Sequence, residues 1–423
     1  MGIYLNPSNN SFTESVNSEI YVDKSGLIAY TNKRICTEQK NICISRPRRF
    51  GKSMAAKMLT AYYCKSMDSA AAFQNLKIVS DVSYLSHLNQ YPVVFLNMQQ
   101  FLSRTHNSQK MIEKVQEELC REFLDEYANL ELPETKSLPE LLARIFDETK
   151  DQFVFIIDEW DCIFREKKET REGHLLYLDF LRNLLKDRSY VALAYMTGIL
   201  PIKKYGTHSA LNMFAEFSMT NPRVLAEYVG FTEEEVRELC ERYHMDFTET
   251  ARWYDGYSFR RVSHIYSPKS VVDAMLNEEF GSYWTQTETY EALKVYIEMN
   301  YGGLKDAVIE MMSGNRVRIN TATFENDMTT FRSRDDVFTL LVHLGYLAYD
   351  SVKEEVYIPN YEVSREFYNA VQGAGWEPVI SAVKKSDDLL RETWNRNENY
   401  VAAELSKAHE LITTRKPSSM NVS

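Results

Sequence analysis

The first half of the chain alternates between two hydrophobic rhythms. Short apolar runs of strand length fall at residues 41–45 (NICIS), 92–98 (PVVFLNM), 153–157 (FVFII), 190–196 (YVALAYM) and 215–219 (AEFSM). Between them apolar positions recur at helical spacing, as in Met54, Met58, Leu59 and Tyr62, and again across residues 111–127 and 175–185. Ser137 with Glu140 three residues on has the form of a capping box and predicts a further helix start. Strands alternating with helices predict an α/β fold over residues 41–225, a P-loop NTPase-type parallel sheet of about five strands with helices on both faces. Residues 1–40 form a polar, Asn-rich arm in which YVDKSGL (21–27) reads as a lead-in strand or arm.

Past residue 225 the texture changes to short helices. Thr232 with Glu235 makes a second capping box, opening VRELCERY, and Asp246 can cap a helix that runs to Asp255 and stops at Gly256. Ser267-Pro268 starts SVVDAML, since proline is tolerated in a first turn. Residues 226–330 are therefore expected to form a helical lid-type domain. Over 331–410 the order is helix (DDVFTLLVHL), Gly345, strand (YLAYD), charged turn, strand (EVYIPN) and helix (VSREFYNAV), the order of a winged helix. Residues 411–423 read as a polar tail.

Length changes the picture only by making two or three domains the expectation for 423 residues. With 44% apolar and 26% charged residues the chain is neither disordered, collagen-like nor a disulfide scaffold. Its six cysteines include no CxxC pair and have no close histidine partners, which argues against a zinc site and for free thiols in a reducing compartment. No stretch approaches the ~20 apolar residues of a membrane span, and the N-terminus lacks a signal-peptide pattern, so a cytoplasmic location is expected. A net charge of −11 gives no global attraction to nucleic acid, although a local basic loop can still bind phosphates.

Such a loop follows the first strand. Arg46-Pro47-Arg48-Arg49-Phe50-Gly51-Lys52-Ser53 ends in the glycine, lysine and hydroxyl that a phosphate-binding loop needs at a strand-to-helix turn. Lys52 would meet the β- and γ-phosphates, Ser53 a magnesium ion, and the helix N-terminus would favour negative charge. The usual motif has a second glycine five residues before Gly51, where this chain has Arg46. The loop must therefore curve differently, with Arg46, Arg48 and Arg49 adding positive charge. A basic loop capping a helix explains the tripeptide alone about as well.

The second element is the run at 153–157 followed by Asp158-Glu159, an apolar strand ending in two carboxylates, the form of a Walker B element. In a parallel sheet, strand ends of one polarity gather at one edge, where ligands bind. Lys52 and Asp158 are expected to meet there, with Asp158 holding magnesium and Glu159 orienting and polarising the attacking water. Thr197, at the end of the fourth run, could sense the γ-phosphate, though an ordinary turn accounts for it too. Arg182 and Arg188 are candidates for an arginine finger by position only.

Taken in order, YVDKSGLI, SRPRRFGKS, YPVVFLNM, FVFIIDEWD, TGILPIKK, LNMF, WYDGY, IYSPKSVV, LGYL and IPNYEV resemble the AAA-ATPase-like family of bacterial proteins, over about residues 20–410. Many members carry a C-terminal nuclease-like domain of the PD-(D/E)xK class. The resemblance implies an ATP-binding core in which RPRRFGKS is the family's own P-loop. It puts phosphate contact at Gly51, Lys52 and Ser53, with Arg46, Arg48, Arg49 and Phe50 in the same loop, and the carboxylate roles at Asp158 and Glu159. Asp23 and Lys24 belong to the N-terminal motif, and Trp253, Tyr254, Asp255, Gly256 and Tyr257 to another, read here as helix-end packing around Gly256. After His409 the chain turns polar without a PD…(D/E)xK strand, which suggests a member that kept the ATPase part and lost the nuclease.

ATP and Mg2+ are thus the expected ligands, and ATP hydrolysis driving a change between the core and the later domains is the leading function. A non-hydrolysing nucleotide-binding module that presents a partner-binding shape, with an unidentified protein or a second copy as partner, is the alternative. DNA binding by residues 349–356 is disfavoured because that segment carries more acidic than basic residues.

Overall fold

The computed structural model describes residues 2–133, 135–165, 169–202, 211–284, 290–299, 301–326, 331–371, 388–389 and 392–413. The predicted tail falls largely outside these, apart from the end of a helix, Glu398–Thr413.

All five apolar runs are strands of one parallel sheet: β1 (Asn41–Ser45), β2 (Val93–Asn97), β3 (Phe153–Asp158), β4 (Val191–Gly198) and β5 (Ala215–Phe217), in the order β2-β3-β4-β1-β5. Every residue of β1, β3 and β4 is buried. Their sequences are continuously apolar because both faces are covered by helices, so no polar alternation survives. From β1 to β4 the consecutive strands are joined through helices, as parallel connections need a crossover. Helix Lys52–Tyr63 leaves β1, Ser108–Glu126 and Leu138–Thr149 lie between β2 and β3, and Arg171–Leu185 lies between β3 and β4.

Local signals succeed where the partner is near in sequence. Thr232 and Glu235 form the predicted capping box, and Asp246 caps Phe247–Tyr254 through the amide of Glu249. Ser137 does stand at the start of Leu138–Thr149, but its side chain makes no cap bond. Glu140 accepts a hydrogen bond from the Thr135 hydroxyl at 3.2 Å instead, so the capping box expected there is not formed. The YVDKSGL segment is not a strand: it runs as irregular chain into the helix Gly26–Asn32.

Residues 226–330 hold more than helices. Three short strands, β6 (Phe231–Thr232), β7 (Tyr257–Phe259) and β8 (Val262–Tyr266), form an antiparallel sheet in the order β6-β8-β7. A small apolar core gathers around Val236, Leu239, Tyr254, Tyr266, Val271 and Met275, and Ile20 of the arm packs into it. Farther on, the expected helix, hairpin and helix are Arg334–Leu344, β10 (Ala348–Asp350) with β11 (Glu355–Tyr357), and Tyr361–Val371. A strand absent from the sequence reading, β9 (Val317–Arg318), adds to β11. Residues of this region share one continuous core with the main sheet.

The WYDGY motif finds its reason here. Gly256 has φ +119, and a Cβ on it would lie 2.0 Å from the carbonyl oxygen of Pro359. Tyr357 donates to the Gly256 carbonyl at 3.0 Å and Asn360 to the Asp255 carbonyl at 2.7 Å. The motif is a backbone-to-backbone seam between the 226–330 region and the hairpin. Gly256→Ala should lower stability by about 2–4 kcal/mol through strain and forced separation, read as a lower urea midpoint at unchanged slope.

Candidate functional site

The parallel register sets the site. Asn97 pairs with Asp158, Asp158 with Thr197, Thr197 with Ile44 and Gly198 with Ser45. The ends of β2, β3, β4 and β1 therefore lie side by side at one sheet edge. β1 and β3 are not neighbours, because β4 lies between them and brings Thr197 to the middle of that edge.

From β1 the chain turns through Pro47–Phe50 into helix Lys52–Tyr63. Gly51 is the N-cap at φ +92 and supplies no side-chain cap, so the first amides of a twelve-residue helix face the turn without a side-chain partner. Lys52 is buried and donates to the Pro47 carbonyl at 2.9 Å. Burial lowers its pKa, while Glu159, Asp158 and Asp161 nearby favour its charged form. Asp158 is 1% exposed, and burial pushes its carboxyl up to about 6 against the opposing hydrogen bond from Ser53. The hydroxyl of Ser53 and the carboxylate of Asp158 are thus adjacent, as both proposed metal contacts must be. Thr197 is fully buried beside Asp158, and its hydroxyl has no hydrogen-bond partner among the described residues. Glu159 sits at the turn after β3 with φ +53, its carboxylate 2.5 Å from the Arg165 guanidinium.

Arg46 requires a correction. Its amide donates to the Gly198 carbonyl at 3.0 Å, carrying the β1–β4 hydrogen bonding one residue past the end of the strand. Its fully buried guanidinium donates to the carbonyls of Ser45 and Phe217 at 2.9 and 3.0 Å. It ties β1 to β5 and adds no contact to the cavity. A glycine is not needed there because the turn begins one residue later. The other basic residues differ from one another. Arg48 is exposed at the cavity, whereas Arg49, at φ +66, donates to the Tyr283 carbonyl and, at 3.0 Å, to that of Trp284. Phe50 is buried edge-on against Tyr257 and Trp284. Arg182 stands by Asp179 and Arg188 donates to the Asn183 carbonyl; neither lines the cavity.

That cavity, of about 570 Å3, lies over Gly51, Lys52 and Ser53. It is within the range of small-molecule sites, roughly 300–1,000 Å3. Glu159 closes the polar end. The other walls come from three separate stretches and are largely apolar, with Ile20, Tyr21 and Val22 of the arm, Tyr228 and Phe231, and Val272 and Leu276 of helix Pro268–Asn277, although the charged Glu19, Lys24, Lys269 and Asp273 line them as well. Basic groups and free helix amides at one end and an apolar slot at the other suit a ligand with an anionic tail and a flat ring.

The roles of Asp23 and Lys24, hidden in the sequence, are legible here. Asp23 accepts the amides of Ser25 at 2.8 Å and Lys77 at 2.6 Å. Lys24 reaches the Glu227 carbonyl at 2.7 Å and pairs with Glu235 at 2.5 Å. The same Glu235 completes the Thr232 capping box, so one carboxylate anchors both the helix start and the arm that walls the cavity.

Residues 10–207, a little under half of the chain, match the family model described as predicted AAA-ATPase, AAA-ATPase-like. This bears out the family resemblance over that stretch. Among solved structures, the chain is similar to a Walker-type ATPase of Pyrococcus abyssi, at 12% identity over 81% of this chain and 94% of that one, TM-score 0.41. It is also similar to the ORC2 protein of Aeropyrum pernix in its ADPNP–ADP complexes, at 11% identity over 87% and 97%, TM-score 0.33. No curated protein matches. No helix among the described residues is long and apolar enough to cross a membrane.

Replacing Lys24 by Met should cost about 2–3 kcal/mol, the lower end for breaking a buried pair because both side chains keep 15% exposure. Lys24→Met combined with Glu235→Gln should recover part of that loss in thermal unfolding, since the orphaned charge is gone while the capping function stays.

Proposed function

With an AAA-ATPase-like module matched over residues 10–207, we propose that the chain binds Mg·ATP at this sheet edge and hydrolyses it to move the core against its later domains. The observation that carries the reading is the side-by-side placement of the Lys52 turn, Asp158 and Thr197 at one sheet edge, with Lys52, Ser53 and Glu159 lining the cavity beside it.

Lys52 and the amides of the Gly51–Ser53 turn would hold the β- and γ-phosphates, with Arg48 adding charge at the mouth. Ser53 and Asp158 would hold magnesium. Among the described residues no cluster of three His, Cys, Asp or Glu suits a metal, which fits an ion that takes its remaining ligands from phosphate and water. Magnesium, when bound, neutralises the charge that develops on the transferred phosphoryl group. Glu159 would orient the attacking water, and the Thr197 hydroxyl would report on the γ-phosphate. The apolar slot between arm and second domain would take the base.

The loop that would hold the phosphates is also the loop that grips the later domains. Arg49 donates to the carbonyls of residues 283 and 284, and the amides of those same residues donate to Glu362 at 2.6 and 2.8 Å. Glu362 is buried on helix Tyr361–Val371, and burial lifts its carboxyl to about 7. Pro47 packs on Gly345, where any Cβ would meet it at 2.8 Å. A change in the loop on binding or releasing the γ-phosphate therefore has a short path to the helix-and-hairpin region. A purely nucleotide-holding module uses the same contacts, and absence of phosphate release would favour it.

In fluorescent-nucleotide titrations Lys52→Ala should lose binding, whereas Glu159→Gln should bind like wild type and lose turnover by roughly 10²–10³-fold. Equal ATP affinity in wild type and Lys52→Ala would refute the site. Because Asp158 titrates near 6, Mg2+ must displace a proton below that pH. Nucleotide-dependent Mg2+ affinity should fall as pH drops below about 6, more steeply than the protonation of the terminal phosphate alone requires, and Asp158→Asn should remove that excess. The sign for the protein alone is opposite: with its pKa raised, Asp158 contributes stability below about pH 4 that is lost as pH rises through 6.

A further inference from the structure

Glu159 is held by a structure that the phosphate-site assignment leaves unused. Its carboxylate meets the Arg165 guanidinium at 2.5 Å, and Arg165 also bonds the Gln99 side-chain oxygen at 3.4 Å. The Arg165 Nε lies 3.4 Å from the carboxylate of Asp161, which stands just before the short helix Cys162–Arg165, an ion-pair contact without a hydrogen bond. Asp161 is wholly buried, and its Oδ2 accepts the amides of Ile199 at 3.0 Å and Leu200 at 2.8 Å, the turn that follows β4. The fit around it is tight: a Cβ on Gly198 would stand 2.5 Å from Asp161 Oδ1. Glu159 itself keeps a left-handed backbone at φ +53, a conformation that a non-glycine residue holds only where its surroundings impose it.

We propose that Arg165 is a positioning residue for hydrolysis, fixing the Glu159 carboxylate at the polar end of the cavity and itself fixed by Asp161 to the backbone just beyond Thr197. The inference rests on the hydrolytic reading above. A glutamate on an unrestrained side chain would sample several rotamers, and only one of them places a water in line with the γ-phosphate. The Arg165 side chain is 10% exposed and that of Glu159 21%, so the carboxylate faces the cavity while its partner is sealed behind it. Pairing with a cation suits the task, because a loose phosphoryl-transfer transition state asks the carboxylate chiefly to orient water. Asp161 and Arg165 join the tips of β3 and β4 through side chains, so the water-orienting group and the Thr197 hydroxyl are held in one frame.

The test compares Arg165→Met, Arg165→Lys, Glu159→Gln and Arg165→Met/Glu159→Gln with the wild-type full chain, by steady-state and single-turnover ATP hydrolysis in Mg2+ and by fluorescent-ATP binding. Arg165→Met should lower kcat roughly 10–100-fold with KM and nucleotide affinity changed less than about threefold, the split expected of a group that acts in the transition state. Arg165→Lys should recover part of the rate. In the Glu159→Gln background the arginine change should cost nothing further, since it acts only through that carboxylate. A wild-type kcat in Arg165→Met, or the same loss in both backgrounds, overturns the proposal. If Arg165→Met does not fold, Arg165→Lys carries the test, and an unchanged rate with it is likewise decisive against. A wild type that binds ATP and releases no phosphate removes the hydrolytic reading itself, and this inference with it; it is distinguished by the wild-type trace alone.

Discussion

Parallel pairing of five buried strands is the constraint on which everything else depends. Hydrogen bonds between β1, β4 and β3 hold Ile44, Thr197 and Asp158 in register. Each strand end then delivers one group to a common edge: a turn with a buried lysine, a buried hydroxyl, and a carboxylate lifted by burial. A slip of one residue in any pairing would turn its polar tip to the opposite face of the sheet. The apolar runs that exclude water from the sheet are therefore also what aims the chemistry.

The basic loop has two kinds of work. Lys52 lines the cavity; Arg49 and Phe50 line it too while holding the later residues, and Arg46 is turned wholly into the protein. Arg46 joins β1 to β5, Arg49 joins the turn to residues 283–284, and Phe50 closes an aromatic cluster with Tyr257 and Trp284. Two of the three arginines thus direct guanidinium hydrogen bonds to main-chain oxygens, which helps explain why so much positive charge can crowd a strand-to-helix turn. The left-handed backbone at Arg49 and Gly51 shapes the turn without a glycine at 46.

What the sequence revealed and what it concealed divides along contact range. The strands and most helix starts were readable because burial on both faces and local caps leave their marks within a few residues. The positions of Asp158 and Thr197 at the ends of apolar runs, and of Lys52 and Ser53 at the start of the helix that follows β1, were readable for the same reason. Arg46 was misjudged because a guanidinium beside a glycine-lysine pair looks like a phosphate ligand until the carbonyls of residues 217 and 225 are known to reach it. Ser137 was misjudged because Thr135 competes for Glu140. Lys24, Glu362 and Trp284 act through partners 78 to 235 residues away, a distance at which periodicity carries no information. Asp161 left one clue, the second aspartate of DEWD, which a solvent-exposed strand tip would not need.

The wall of the cavity opposite the turn is built by residues after 227 and before 23, and the carbonyls that hold Arg49 belong to residues 283 and 284. The α/β layer is thus not a self-sufficient module. A fragment cut after β5 would keep every strand yet lose the apolar slot and the clamp on its own loop, leaving a sheet edge open to water. Evolutionary shuffling of this layer onto new partners would have to carry the later residues along, since they supply part of the cavity's wall.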